Sequence, residues 1–459
     1  KQVIDITRQC KATWMHNCLY FIVASIGNVE TKMRNSSALT CVAVFFAMSM
    51  LYIVYNWHIK TDPGKCEHVA GSSFKSTKHM PTIQKFISGL SAPVFKGDIF
   101  RERPDISRPR QISHVKDDTM NCTHWAVMTT IYSPSSAVQL LAADSTWCLV
   151  IAADTKTPKK EIYLSAIKRP VNVKFLTLEE QDALYPEIST LIPRAHFGRK
   201  NIGYLYAIHH GAKLIWDFDD DNLGVVNASI LQENWKYLTV CSEYKYNLLN
   251  PYPYFVVNES YTWPRGIPLE DIRNKDIIPK LCQSSRPIKV GVVQSLANLQ
   301  PDVDAIYRFT RDTPFNFGAT TESHLPVVLP AGVYAPFNAQ ATLWMEPAFK
   351  YLALPISVHG RVSDIWRSYF TQFFLHRENM RLAFVPPYVT QYRNVHEILG
   401  DFNAENDIYQ KVKRLADLLS HLQNSNNVDN ISFLYAELYS RGYIEIEDVE
   451  FIQVWVDTL

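Results

Sequence analysis

Residues 213–222 read Lys-Leu-Ile-Trp-Asp-Phe-Asp-Asp-Asp-Asn. A short apolar run there ends in four aspartates within five residues: Asp217, Asp219, Asp220 and Asp221. The apolar part predicts a buried strand, and the aspartates the loop at its carboxyl end. Carboxylates this close repel one another, and burying them unpaired is costly. A hard cation removes that cost, because Mg²⁺ and Mn²⁺ take oxygen ligands and leave positions open for phosphate. The pattern therefore reads as a divalent-metal site that holds a diphosphate. An acidic surface turn is the plainer alternative, but such a turn needs no apolar strand aimed at it. A calcium-binding EF-hand is a poor fit, since Asn222 stands where the loop needs glycine and Ala228 where it needs glutamate. A DxDx(T/V) phosphotransferase fits no better. Asp221 occupies the Thr/Val position, and two strand candidates precede the motif.

The chain has 459 residues, of which 47% are hydrophobic and 20% charged, enough for one large or two medium globular domains. A net charge of +1 gives no reason to expect nucleic acid as a partner. Eight cysteines without a CxxC pair exclude the common zinc and redox motifs. Asn-x-Ser/Thr triplets at Asn121, Asn227, Asn258 and Asn430 point toward a secretory lumen once an anchor is present.

Such an anchor is expected at 38–56, where Leu39 to Tyr55 is uncharged and apolar, close to the ~17–25 residues of a spanning helix. Positive charge before it favours a cytoplasmic tail at 1–37 and a luminal remainder. A cleaved signal peptide and a buried helix are the rivals. The chain opens on Lys1, so a further N-terminal portion is expected upstream. Scattered prolines over 57–120 predict a stem, partly disordered. Residues 121–400 then form an α/β domain, and 401–459 a small helical appendage for partner contacts.

Within that domain, Trp125–Ile131, Trp147–Ala153 and Val171–Leu176 read as strands. Asp154 follows the second. It either accepts hydrogen bonds from a base or ribose or caps a turn. Thr177 and Glu180 have capping-box spacing. A helix is expected from Gly198 to about Ile208, ending at Gly211. With the strand at 213–216 it makes a βαβ unit and a parallel sheet. Arg199, Lys200 and Asn201 lie at that helix start, either to meet phosphates or as a solvated face. Arg308 and Arg311 share a helical face and bind diphosphate or acceptor, or else pair with Asp302 and Asp304. Asp364, after a strand expected over the apolar run Leu352–Val358, is either a general base for an acceptor hydroxyl or the cap of a helix starting at Ile365. Trp344 and Trp366 suit sugar faces or, more simply, the core.

The segment GRKNIGYLYAIHHGAKLIWDFDDDN resembles the nucleotide-sugar half of a GT-A glycosyltransferase with its DxD motif. Together with VGVVQSLANLQPDVDAIYRFTRDTPF, YAPFNAQATLWM and LPISVHGRVSDIWRSY, it resembles the STELLO/DUF288 family over roughly residues 120–395. The resemblance implies a GT-A-like (Rossmann-like) domain with a mixed sheet, carried on a single-pass type II Golgi membrane protein. It implies a metal-dependent transferase moving sugar from a nucleotide-sugar, a UDP-sugar, to a luminal glycan or protein. By the same resemblance Asp219 and Asp221 are the DxD pair that ligates Mn²⁺ or Mg²⁺. Asp217 and Asp220 support the donor, and His359 is a further metal ligand. Protein partners in the Golgi are also expected. The rival implications are a non-catalytic scaffold that assists other Golgi enzymes and a nucleotide-sugar mutase.

Overall fold

Every residue of Cys148–Ala153 is buried, which suits a strand covered on both faces of a parallel sheet. This is β2 of a computed structural model that describes residues 100–106, 120–225, 235–256, 261–318, 325–393, 397–423 and 430–459. The expected tail, the anchor at 38–56 and most of the stem lie outside these residues. Among the described residues, no helix is long and apolar enough to cross a membrane.

The other strands are β1 (His124–Thr130), β3 (Val173–Leu176), β4 (Leu214–Phe218), β5 (Asn222–Leu223), β6 (Tyr237–Val240), β7 (Leu281–Ser284), β8 (Lys289–Asn298), β9 (Val327–Val328), β10 (Ala341–Met345) and β11 (Met380–Gln391). The helices are α1 (Ser136–Ala143), α2 (Lys160–Ser165), α3 (Leu178–Leu184), α4 (Pro186–Leu191), α5 (Lys200–His209), α6 (Ala305–Thr310), α7 (Gly360–Arg377), α8 (Ile398–Ala404), α9 (Asn406–Gln423), α10 (Ile431–Ser440) and α11 (Ile446–Thr458). One mixed sheet runs β3-β2-β1-β4-β10-β8-β11-β9-β6-β7, with β5 pairing to β11. Strands β3, β2, β1 and β4 are mutually parallel. Strand β10 is antiparallel to both β4 and β8. The mixed α/β sheet expected from the sequence is thus present.

The capping box at Thr177 and Glu180 forms as its spacing predicts. Helix α5 packs on β1 and β2. Its Gly203 is where a side chain has no room, because an added Cβ would lie 2.7 Å from Val127 Cγ1. Two elements differ from expectation. The apolar run Leu352–Val358 forms no strand; it is irregular chain. Its backbone groups are satisfied by side chains instead, Leu354 by Asn201 and Ile356 and Ser357 by Asp448. Helix α7 begins at Gly360, not Ile365. Residues 362–375 of α7 are buried throughout, so this helix is interior, and the C-terminal helices cover it.

The segment 401–459 is no loose appendage. Ile408, Val412, Leu415, Leu419 and Leu422 of α9 recur at helical spacing, are buried, and belong to the main core. Residues 101–103 dock here too, with Arg101 paired to Glu445 and Arg103 to Glu437. Trp344 and Trp366 are wholly buried, which settles the choice between sugar face and core in favour of the core. Disulfides join Cys122 to Cys148 and Cys241 to Cys282.

Gly203→Val tests the contact between helix and sheet. Overpacking of this kind costs about 1–3 kcal/mol. The urea midpoint is expected to fall, and an unchanged midpoint would show that α5 can move away from β1.

Candidate functional site: an aspartate cluster between two cavities

Asp217 is not in the loop. It is the fourth residue of β4, opposite Val127 of β1 and Thr342 of β10. It is wholly buried, with Lys200 Nζ 2.6 Å from one carboxylate oxygen and Arg367 Nη2 2.7 Å from the other. A buried charge persists only when paired, and this one has a cation on each side. Arg367 also donates to Tyr204 Oη at 3.1 Å, and Lys200 to the Ala339 carbonyl at 2.7 Å. Asp217 therefore lies beneath the site and holds it together.

The chain turns out of the sheet directly after β4. The Asp219 amide donates to the Gln340 carbonyl at 3.1 Å, and the Tyr392 amide to the Asp221 carbonyl at 2.9 Å. Asp219 Oδ1 is 3.1 Å from Lys200 Nζ, and the side chain is 34% exposed. Burial pushes its carboxyl up to about 7; Lys200 opposes this, while Asp221 and Asp217 add to it. Burial also raises Asp221 to about 6, against a hydrogen bond from Gln391. Asp220 is raised chiefly by burial as well, and Thr130 donates to it.

Asp219 and Asp221 stand between two cavities, and Asp221 with Asp220 also borders a third of about 380 Å³ lined by Tyr132, Ser135 and Tyr392. The larger, about 410 Å³, lies at the carboxyl ends of β1, β2 and β4 and is lined by Thr130, Asp154, Lys156, His196 and Asp219–Asp221 among others. The smaller, about 140 Å³, is lined on its far side by Arg265, Arg361, Asp364 and Arg393. In the larger cavity Asp154 accepts from the amides of Thr155, Ala195 and His196, at 2.7, 2.8 and 2.8 Å. It fixes the 195–196 loop, whose Ala195 has a φ of 53°. In the smaller cavity Asp364 is clamped by Arg265, which donates to its two oxygens at 2.9 and 2.8 Å and also holds Asp302. Both Asp364 oxygens thus accept from Arg265.

The structure therefore brings together Asp154, Asp219, Asp220, Asp221 and Asp364, with Lys200 just beneath them. It does not bring in Arg199, Asn201, Arg308 or His359. Arg199 is wholly buried against the Ser189 and Ile192 carbonyls. Asn201 clamps the Leu354 backbone. Arg308 reaches Gln300 and the Pro301 carbonyl. His359 is exposed and caps α7, its Nδ1 accepting from the Arg361 amide at 3.1 Å. The helix starts five residues earlier than expected, and that makes His359 its cap. The cavity residues that sequence reading passed over, His196, Arg265 and Arg393, come from loops without periodic signal. Arg361 and Gln340 lie inside quoted motifs.

Two outcomes follow. A carboxyl whose folded pKa is raised stabilises the fold below its ordinary value of 3.8, and that contribution is lost as pH rises through about 6 for Asp221 and about 7 for Asp219. The melting temperature of the metal-free chain should therefore fall between about pH 5 and about pH 8, and fall less steeply in Asp219→Asn. Arg367→Ala exposes a different dependence, since it leaves Asp217 short of a buried partner. A loss of about 3–5 kcal/mol is expected in chemical denaturation.

Comparison with known proteins agrees with the resemblance. The family model described as STELLO glycosyltransferases matches residues 361–459. The chain is 30% identical over 356 residues to "Probable glycosyltransferase STELLO2" of Arabidopsis thaliana, covering 73% of this chain and 44% of that protein. It is 28% identical over 396 residues to "Probable glycosyltransferase STELLO1" of the same plant, covering 82% and 48%. The chain thus spans a little under half the length of these relatives. Among solved structures, glucosyl-3-phosphoglycerate synthase from Mycobacterium tuberculosis, in complex with phosphoglyceric acid, aligns over 65% of this chain and 80% of its own, at 10% identity and a TM-score of 0.31. That superposition is too loose to transfer any feature. On the strength of the family model and the two plant relatives, the chain belongs to the STELLO family.

Proposed function

We propose that this chain is a glycosyltransferase of GT-A-like fold, which moves a sugar from a nucleoside-diphosphate sugar, a UDP-sugar, to a glycan or protein acceptor with the help of Mn²⁺ or Mg²⁺. The observation that carries the reading is the placement of Asp219 and Asp221 between a large cavity at the strand ends and a smaller polar one beyond. In open α/β sheets the carboxyl ends of the strands are where nucleotides bind. Asp154 and Thr130 then face the nucleoside side of the larger cavity. Asp219 and Asp221 would hold the cation.

The donor set fits such an ion. It consists of hard carboxylate oxygens, and burial alone makes their ionised forms unfavourable. Among the described residues, no three His, Cys, Asp or Glu side chains are arranged to enclose a metal by themselves. Mg²⁺-type sites are often built from one or two carboxylates, with substrate phosphate and water completing the shell. When bound, the cation supplies positive charge to the leaving diphosphate as the anomeric carbon loses its bond. Lys200 meanwhile keeps Asp217 and Asp219 in register.

A glycosyltransferase-like scaffold without activity is the second reading. A location on the luminal face of the Golgi membrane also belongs to the proposal. It draws support from the two disulfides, which suit an oxidising compartment, and from the exposed triplet asparagines Asn121 and Asn430.

Calorimetric titration with UDP separates the readings. With Mn²⁺ present, UDP should bind, and Asp221→Ala or Asp219→Ala should weaken it tenfold or more, about 1.4 kcal/mol, without loss of fold. UDP binding that ignores both Mn²⁺ and these substitutions would overturn the site, and no UDP binding at all would favour the scaffold.

A further inference from the structure

Asn430, Ile431 and Ser432 make up one of the Asn-x-Ser/Thr triplets, and the fold sets them at the start of α10. Asn430 is the N-cap of that helix, with an extended backbone at φ −142° and ψ 171°. Its side-chain oxygen accepts from the Phe433 amide at 3.1 Å. A backbone N–H donates, so it must meet the oxygen of the side chain, and the nitrogen is the atom left over. That nitrogen, Nδ2, donates to no acceptor among the described residues, and Asn430 is exposed. A substituent on Nδ2 therefore costs the fold no hydrogen bond. Asn121 is exposed as well but more hemmed in. It lies against Gly211, where an added Cβ would come within 2.1 Å of its Oδ1, and the next residue is tied to Cys148.

The outer side of α10 supplies a second observation. The one charged residue of this helix, Glu437, is buried and paired with Arg103 and Arg441. The helix thus shows no charge to water. Phe433, a turn from the cap, is 42% exposed, with Ile431 and Ser432 half-buried beside it. A bare aromatic on an uncharged face invites association unless something hydrophilic covers it. A sugar on Asn430 would start at the same turn as Phe433. The C–H face of a sugar ring packs on an aromatic ring while its hydroxyls stay in water. No residue of α10 lines the three cavities described above, so such a cover leaves the aspartate site open.

We propose that Asn430 carries an N-linked oligosaccharide, received from a lipid-diphosphate carrier and lying over the Phe433 face of α10. In the transfer a bond forms between Nδ2 and the anomeric carbon of the first sugar. The bond from that carbon to the diphosphate oxygen breaks, its electron pair leaves with the lipid diphosphate, and the amide gives up one proton. The modification rests on the luminal location included in the reading above.

The test expresses the full chain in a eukaryotic cell and reads position 430 by peptide mass after treatment with a peptide N-glycosidase, which leaves aspartate where a glycan stood. Aspartate at 430 is expected, together with a faster gel band. Two variants remove the glycan and spare the helix cap. Ser432→Ala keeps Asn430 but takes away the hydroxyl that the triplet requires. Asn430→Asp keeps a capping oxygen but has no amide nitrogen. Each should lose one glycan step on the gel, and Ser432→Thr should retain it. A step that persists in both variants, or unmodified asparagine at 430, overturns the proposal. The state of the cysteines tells the two readings apart. Bare Asn430 in a chain with Cys122–Cys148 and Cys241–Cys282 formed overturns the modification alone. Free thiols at those cysteines, with no glycan at any triplet, overturn the luminal location along with it.

Discussion

One ion cluster ties the molecule together: a buried aspartate at the end of the central strand with a lysine and an arginine on either side. Asp217 belongs to β4, Lys200 to α5 and Arg367 to α7. The three elements come from different stretches of sequence, and they meet at one point in the middle of the sheet. Removing two or three charges from water is expensive, and only mutual pairing offsets it. The arrangement is therefore intolerant of small displacements. Its effect is to fix the height at which the chain leaves the sheet, and with that the position of Asp219 and Asp221 at the cavity rim.

The same logic operates around α7. The segment before it is apolar and buried yet makes no strand, so its amides and carbonyls need other partners. Asn201 supplies both a donor and an acceptor to Leu354. Asp448, from the last helix, accepts from Ile356 and Ser357, and burial raises its carboxyl to about 6. Polar side chains at helix starts thus replace a strand partner. An asparagine in a sequence of this kind looks like a ligand contact and is instead part of the frame.

Much of the fold was legible in the sequence. The strands at 124–130, 148–153 and 173–176, the Thr177 capping box and helix α5 all follow from local periodicity and capping chemistry. The location of the aspartates at a strand end followed as well. What was not legible depended on distant partners. Asp217 reads as a loop residue until Arg367, 150 positions away, is seen to pair with it. His359 reads as a metal ligand by the family resemblance, but a helix that begins at Gly360 makes it a cap. Arg265 and Arg393 carry no local signal, since only the tertiary fold brings them to one cavity. An apolar run such as 352–358 looks the same in a strand and in buried irregular chain, although Pro355 disfavours an inner strand.

The placement of β11 between β8 and β9 has a consequence for how such a chain can change over time. The stretch from 361 onward contributes an inner strand, the central helix and about a third of the apolar interior, together with Asp401 and Glu405, the carboxylates behind the cavity arginines. Severing the chain near 360 would leave two fragments, each with a raw edge and unmatched charges. Duplication, shuffling or loss is therefore expected to carry both halves together, and variation should collect in the surface connections instead.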